Sequence, residues 1–357
     1  MRKRIVSIGF ISFLVGMLGI CLITPDRSVS ESERRKLAQF PSVTVQSILD
    51  TSFFQQLNDY CTDQFAGRDI WRGIKAQISY TLLGKKENND IYTYDGHILK
   101  SQMNTDEKSI DQFVNKINAV IDKTSENNQV YAMIVPDQNS FVPDDVMLHM
   151  DYDLLYEKMT DIQGEIIDVR DILSLDDYYM TDIHWKQEKL SDVVSAMAQV
   201  MDLKTDVPYE VISYGEFAGG LAGQYALPHE KDELIILNSE AIENCDVWYL
   251  EDPDETSIYP EKKLEAMDPY DIYLGGATAL IQIDNPSGPK GRELVMFRDS
   301  FGSSLAPLLI DTYSRITIID MRYIASTVWQ EYVDFISQDV LFVYSSLLVN
   351  QSSTVKP

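Results

Sequence analysis

An open α/β sheet of mainly parallel strands is the fold class the sequence predicts, and three observations carry the prediction. Four segments, 130–135, 294–297, 316–319 and 340–344, are apolar without interruption, which is how strands buried on both faces read. Amphipathic stretches with helical spacing at 110–121, 152–162 and 186–201 are interleaved with strand-like runs. The 357 residues are 45% hydrophobic, too apolar for a disordered chain and enough for one large domain or two modest ones.

The elements follow in order. Residues 5–24 carry no charge, and 20 residues at about 1.5 Å each span the ~30 Å hydrocarbon core of a bilayer. Arg2, Lys3 and Arg4 precede them, so residues 1–24 read as a cytoplasmic tip and transmembrane anchor, with the bulk of the chain outside the cell membrane. No small-x-small cleavage site stands at 19–24, and Ile20 before Cys21 argues against a lipoprotein signal, so an uncleaved single-pass anchor is expected. Residues 25–50 read as a juxtamembrane stalk, charged at Glu31, Glu33, Arg34, Arg35 and Lys36 and turning at Phe40 and Pro41.

An extracytoplasmic domain is expected over 51–350. It opens with helices over 53–83, interrupted near Ala66 and Gly67, and a hairpin at 91–99 turning on Asp95 and Gly96. The alternation of helices and apolar runs follows, with a short strand at 166–169. Residues 205–285, richer in Gly, Pro and acids, read as an inserted region of strands and loops.

Charge and cysteines narrow the function. Fifty-six acidic against 30 basic residues give −26, and beyond Arg2, Lys3 and Arg4 the balance is 27 against 56. Such a surface repels phosphates, so nucleic acid and anionic membrane surfaces are poor partners for it. Outside the anchor only Cys61 and Cys245 remain; an oxidising compartment allows one disulfide between them, but two residues 184 apart make no disulfide framework, and both are expected to be buried small hydrophobes. His97, His149, His184 and His229 stand in no metal-binding spacing, so no metal and no cofactor is expected.

Two segments could carry chemistry. The run 294–297 ends in Arg298, Asp299, Ser300, Phe301 and Gly302 before a helix-like stretch. A strand followed by Ser and Gly presents a hydroxyl at the strand's carboxyl end, beside helix amides able to hold an oxyanion. The bland alternative is a turn and helix cap. In the segment 178–185, read as a strand, Asp182 and His184 point to one face, so the carboxylate can fix the imidazole while its other nitrogen acts as a base. The bland alternative there is a polar loop with Asp182 capping the next helix. Together they supply a nucleophile, a base and an orienting acid.

The chain resembles the DHHW proteins of Gram-positive bacteria and, more distantly, the SGNH-hydrolase-like alginate O-acetylation proteins. The resemblance rests on an ordered series of pieces: residues 32–41, 63–69, Asp95 with Gly96, 181–185, 273–276, 298–302 and 320–323. It implies an SGNH-hydrolase-like, flavodoxin-like sheet with Ser300 as nucleophile, His184 as base and Asp182 as its partner. The backbone amides of Ser300 and Phe301 would hold the oxyanion. The family's Asp-His-His-Trp is Asp-Ile-His-Trp here, with Ile183 on the opposite strand face from the pair, and Arg298 stands where Lys is usual. Residues 216–220 look like the family's loop near the site.

The function so implied is a serine-dependent O-acetyltransferase or acetylesterase acting on a cell-envelope polysaccharide. A membrane-bound O-acyltransferase is the implied partner. The competing expectation is a noncatalytic polysaccharide-binding or assembly protein on the same scaffold, since exposed Trp and Tyr also suit glycan binding.

Overall fold

The computed structural model describes residues 2–356, so Met1 of the expected cytoplasmic tip lies outside the described residues. The chain groups into two compact units, Met1–Tyr92 with Gly220–His229, and Thr93–Gly219 with Glu230–Pro357.

In the first unit, α1 (Arg2–Ile23) contains a 20-residue span, Arg4–Ile23, long and apolar enough to cross a membrane. Beyond it Val29–Ser30 pairs antiparallel with Arg35–Lys36. Helices α2 (Ser52–Asp63) and α3 (Arg68–Gln77) follow, and α3 continues into a π-turn, Ile78–Leu82. The expected break falls at Gly67, whose φ of +68° suits glycine.

The charged residues ahead of α2 are bound to α2 and α3. Asp63 accepts from both terminal nitrogens of Arg35 and from the Ala38 amide, and Glu33 pairs with Arg68 and Arg72. The Arg35 guanidinium holds the Asp63 carboxyl down at about 2. Two of the motif segments, 32–41 and 63–69, are thus the two sides of one ion-pair network.

The hairpin Ile91–Tyr94 with His97–Lys100 follows, and Asp95 and Gly96 at its tip have φ of +45° and +79°. Two consecutive positive φ values are what a two-residue turn demands of an Asp-Gly pair.

The second unit is built on a seven-stranded sheet. Its strands are β1 (Gln129–Val135), β2 (Glu165–Ile166), β3 (Asp246–Tyr249), β4 (Leu280–Asp284), β5 (Glu293–Arg298), β6 (Arg315–Ile319) and β7 (Asp339–Ser345). Their order is β2-β1-β7-β5-β6-β4-β3. The five from β2 to β6 are parallel, and β4 and β3 add antiparallel at one edge. The four uninterrupted apolar runs are the four adjacent strands β1, β7, β5 and β6, as expected.

Alternation along each strand divides the core. Met133, Met296 and Val343 face one layer, which holds α6 through Val193 and Met197; Ile134, Phe297 and Phe342 face the other, packed on α4 through Phe113 and Ile117. Here α4 is Glu107–Ile121, α5 is Tyr152–Met159 and α6 is Ser191–Met201. Asp106 and Asp151 accept from the amides of Ser109 and Leu154, capping α4 and α5.

Three expectations are corrected. Residues 178–185 are not a strand: a single bridge joins Tyr178 to Trp185, and the chain between them turns. The region 205–285 is only partly an insertion, because after the hairpin Glu210–Phe217 with Asp232–Asn238 it supplies β3 and β4 to the main sheet. Cys61 is exposed and Cys245 half-buried, and all three cysteines are free thiols.

Candidate active site

The site lies where the parallel strands end, the edge at which open α/β sheets bind ligands. β5 ends at Arg298, and Ser300 stands at the N-terminal end of the short helix α7 (Phe301–Leu305), its side chain making no capping bond. Gly302 is required there, because a Cβ would come within 2.6 Å of the Arg298 Cβ.

The turn 178–185 brings the base to that hydroxyl. Asp182 Oδ1 accepts from the His184 amide at 3.2 Å and from His184 Nδ1 at 2.6 Å. His184 Nε2 lies 2.8 Å from Ser300 Oγ. With Nδ1–H donated to the carboxylate, Nε2 is the acceptor and the Ser300 hydroxyl donates. The structure therefore brings together all three residues singled out from sequence. The contact arises from a turn that curls the carboxylate back onto the backbone two residues on, and not from a shared strand face. The opposite-face argument for Ile183 fails with it: Ile183 lines the cleft that contains Ser300.

The turn is tied down from several sides. Asp232 accepts from the amides of Met180 and Thr181, each at 2.8 Å, and from the Thr181 hydroxyl. Gln138, just beyond β1, donates to the carbonyls of Tyr179 and Asp182. Trp185 Nε1 donates to Phe301 O and Ser304 Oγ, tying the turn to α7. Gly219 donates to Thr181 Oγ1, and a Cβ on it would meet Thr181 O at 2.3 Å. Tyr270 stacks on His184, and its hydroxyl lies 2.9 Å from Ser304 Oγ. Sequence reasoning missed Gln138, Asp232 and Tyr270, which no local pattern marks.

Burial pushes the His184 pKa down, but the charge of Asp182 and its hydrogen bond push it up by more, so it ends above the usual 6.5. Asp271, in the same region, is raised to about 6 by burial and by the neighbouring Asp268.

One of the two expected oxyanion donors is already used. The Phe301 amide donates to Asp299 Oδ1 at 3.0 Å, because that carboxylate caps α7, which leaves the Ser300 amide of the pair. Asp299 Oδ2 meanwhile accepts from the Ser345 amide and hydroxyl, joining the ends of β5 and β7.

Arg298 points away from the reacting groups. It is fully buried, donates to Gly276 O and Thr278 Oγ1, and lies 3.6 Å from Asp320. Asp320 also holds Arg322, which stands with Tyr323 at the rim of the cleft of about 410 Å³ over Ser300. A larger cleft of about 590 Å³ belongs to the first unit and contains none of these groups.

An aligned carboxylate, imidazole and hydroxyl in an open cleft can move a proton off the serine as it attacks an acyl carbon. No family model and no curated relative matches the chain. Among solved structures, a DHHW family protein from Eubacterium siraeum aligns with TM-score 0.57 at 16% identity, over 74% of this chain and 93% of its own. PatB1 of Bacillus cereus, solved with a sulfonyl adduct, aligns with TM-score 0.56 at 16% identity, over 75% of this chain and 95% of its own. The O-acetyltransferase domain of Pseudomonas putida AlgJ aligns with TM-score 0.43 at 10% identity, over 74% and 93%. The resemblance to DHHW proteins carried by the motifs thus extends to the fold.

Proposed function

We propose that this protein is a membrane-anchored, extracytoplasmic serine O-acetyltransferase that modifies a cell-envelope polysaccharide. The observation that carries the reading is the continuous relay from Asp182 through His184 to Ser300, with contacts of 2.6 and 2.8 Å. Ser300 Oγ attacks the acetyl carbonyl of a donor ester, and its proton passes to His184 Nε2. The Ser300 amide steadies the oxyanion as the Oγ–C bond forms. As the intermediate collapses, the donor's leaving oxygen takes the proton from Nε2. A sugar hydroxyl then gives its proton to Nε2, attacks the acyl-serine and departs as the acetylated product while Ser300 recovers its proton. Asp182 holds the imidazole and stabilises its charged form throughout.

With water in the sugar's place the same relay is an acetylesterase. A membrane-bound O-acyltransferase that presents acetyl groups at the outer face is the proposed supplier. Further support comes from the shared fold of PatB1, a protein captured with a sulfonyl adduct, since sulfonyl reagents trap activated nucleophiles.

The test uses the full chain in detergent with 4-nitrophenyl acetate as donor and cell-wall oligosaccharides as acceptors. Mass spectrometry should find one acetyl group on Ser300, discharged faster by an oligosaccharide than by water. Discharge at one rate with or without any sugar makes the protein an esterase. Equal turnover by the native protein and Ser300→Ala assigns the scaffold to noncatalytic polysaccharide binding.

A further inference from the structure

Helix α3 and its π-turn are built inside out. Ile70, Ile74 and Ile78 stand at i, i+4 and i+8, with Trp71 beside them and Leu82 one turn on. In a water-soluble unit such a stripe faces the core. Here these five side chains are 69%, 44%, 43%, 41% and 77% exposed. The charged face turns inward instead: Arg68 and Arg72 pack against Glu33, and Arg72 also donates to Gly223 O.

We propose that this stripe lies in the lipid interface of the outer leaflet, as a collar around the exit of α1. The proposal rests on reading α1 as a membrane-spanning helix and is independent of the acetyl-transfer chemistry. Three observations choose lipid as the occupant. First, α1 and the α2–α3 junction are in contact where α1 ends: the Ala66 amide donates to Cys21 Sγ at 3.5 Å, Tyr60 donates to Asp26, and Gln64 bonds both ways with Arg27. The stripe begins four residues after Ala66, at the level where the hydrocarbon gives way to headgroups.

Second, the charge of the chain is unevenly divided. Residues 25–92 and 220–229 hold nine basic and nine acidic groups, whereas the second unit holds 18 against 47. The unit that would lie against the bilayer is the one spared the acidic surface. Third, the side chains suit the depth: the exposed Trp71 and Phe65, beside the aliphatic stripe, have the amphipathic or aromatic character that gathers at membrane interfaces. A single helix leaves the attached unit free to tilt, and a second apolar contact removes that freedom.

The full chain is reconstituted in phosphatidylcholine–phosphatidylglycerol vesicles whose acyl chains are brominated at either a shallow or a deep position. Tryptophan fluorescence should be quenched by the shallow bromines more than by the deep ones, and Trp71→Phe should lose most of that quenching, because Trp185 and Trp329 are buried and the half-buried Trp248 is covered by Tyr332, which stacks on it. Retention of the protein in alkali-washed vesicles reports α1 separately. Retained protein whose quenching is absent, or unchanged in Trp71→Phe, overturns the collar and gives the stripe to a protein partner. Protein released by the wash overturns the anchor and the collar together.

Discussion

The imidazole of His184 lies flat on the ring of Tyr270, with centroids 3.9 Å apart and planes 7° from parallel. Asp182 fixes the ring's direction through Nδ1, and Tyr270 fixes its plane, so Nε2 is aimed at Ser300 by two independent constraints. Tyr270 is a positioning residue in this scheme. Tyr270→Phe keeps the stack and loses only the hydroxyl's contacts, to Ser304 Oγ and, at 3.4 Å, to the Ser300 carbonyl, so acylation should slow by less than about threefold. Tyr270→Leu keeps apolar bulk but not the flat surface and should lower kcat by roughly 10 to 100-fold with KM little changed. Stopped-flow acylation with 4-nitrophenyl acetate separates the two, and equal rates for both variants would remove Tyr270 from the scheme.

The raised pKa of His184 sets a pH signature. Neutral imidazole is needed to accept the Ser300 proton, so kcat/KM should fall on the acid side with a midpoint above 6.5. In Asp182→Asn the largest upward pull is lost while burial and the weaker pull of Asp268 and Asp299 remain, so the midpoint should move down from its native position while the rate drops about 10³ to 10⁴-fold. His184→Ala and Ser300→Ala should cost more, on the order of 10⁵-fold, and Ser300→Ala should fold as the native protein does because Ser300 lines the cleft and its hydroxyl leaves no large core cavity. A pH–rate profile of the Asp182→Asn variant whose acid limb stays in place would mean that Asp182 does not govern the imidazole's charge.

Much of this architecture was legible because burial on both faces leaves a compositional mark. Strands β1, β5, β6 and β7 have no polar side to alternate with, so their runs stand out in the sequence. Asp182 and His184 were legible as a pair through their spacing, but by the wrong geometry. An acidic side chain two residues before a histidine reaches it in a strand or in a turn, and the ties from Asp232, Gln138 and Trp185 hold the turn. Tyr270, Gln138 and Asp232 act across long stretches of chain, where local periodicity carries no signal. The apolar spacing of α3 was readable too, yet which face turns outward depends on Glu33, a residue from a different segment.

Gly219 supplies a steric test of how tightly the turn must be held. An added Cβ would lie 2.3 Å from Thr181 O and 2.4 Å from the Asp182 Cβ, so Gly219→Ala must displace the backbone that carries the acid. Thermal unfolding should report a loss of about 1–3 kcal/mol, and kcat should fall with it. Gly220→Ala, where the same methyl meets no atom within 4 Å, should change neither by much. Equal behaviour of the two variants would show that the close approach at Gly219 does not constrain the site.

Asp63 gives a prediction about stability rather than rate. Its carboxyl is held from the ordinary 3.8 down to about 2, first by its hydrogen bond to Arg35, and it also accepts the Ala38 amide. A carboxyl with a lowered folded-state pKa stabilises the fold fully above its unfolded value and loses that contribution as pH falls through the folded one. Asp63→Asn should therefore unfold more readily at pH 7, by about 1–2 kcal/mol once solvent screening at the partly exposed Arg35 is allowed for. The gap between native and variant should narrow as pH falls from 3.8 towards 2 and be closed below that. Unfolding of both proteins by urea at stepped pH measures it. A gap that stays constant to pH 2 would mean that Asp63 stabilises the first unit through its shape and not through its charge.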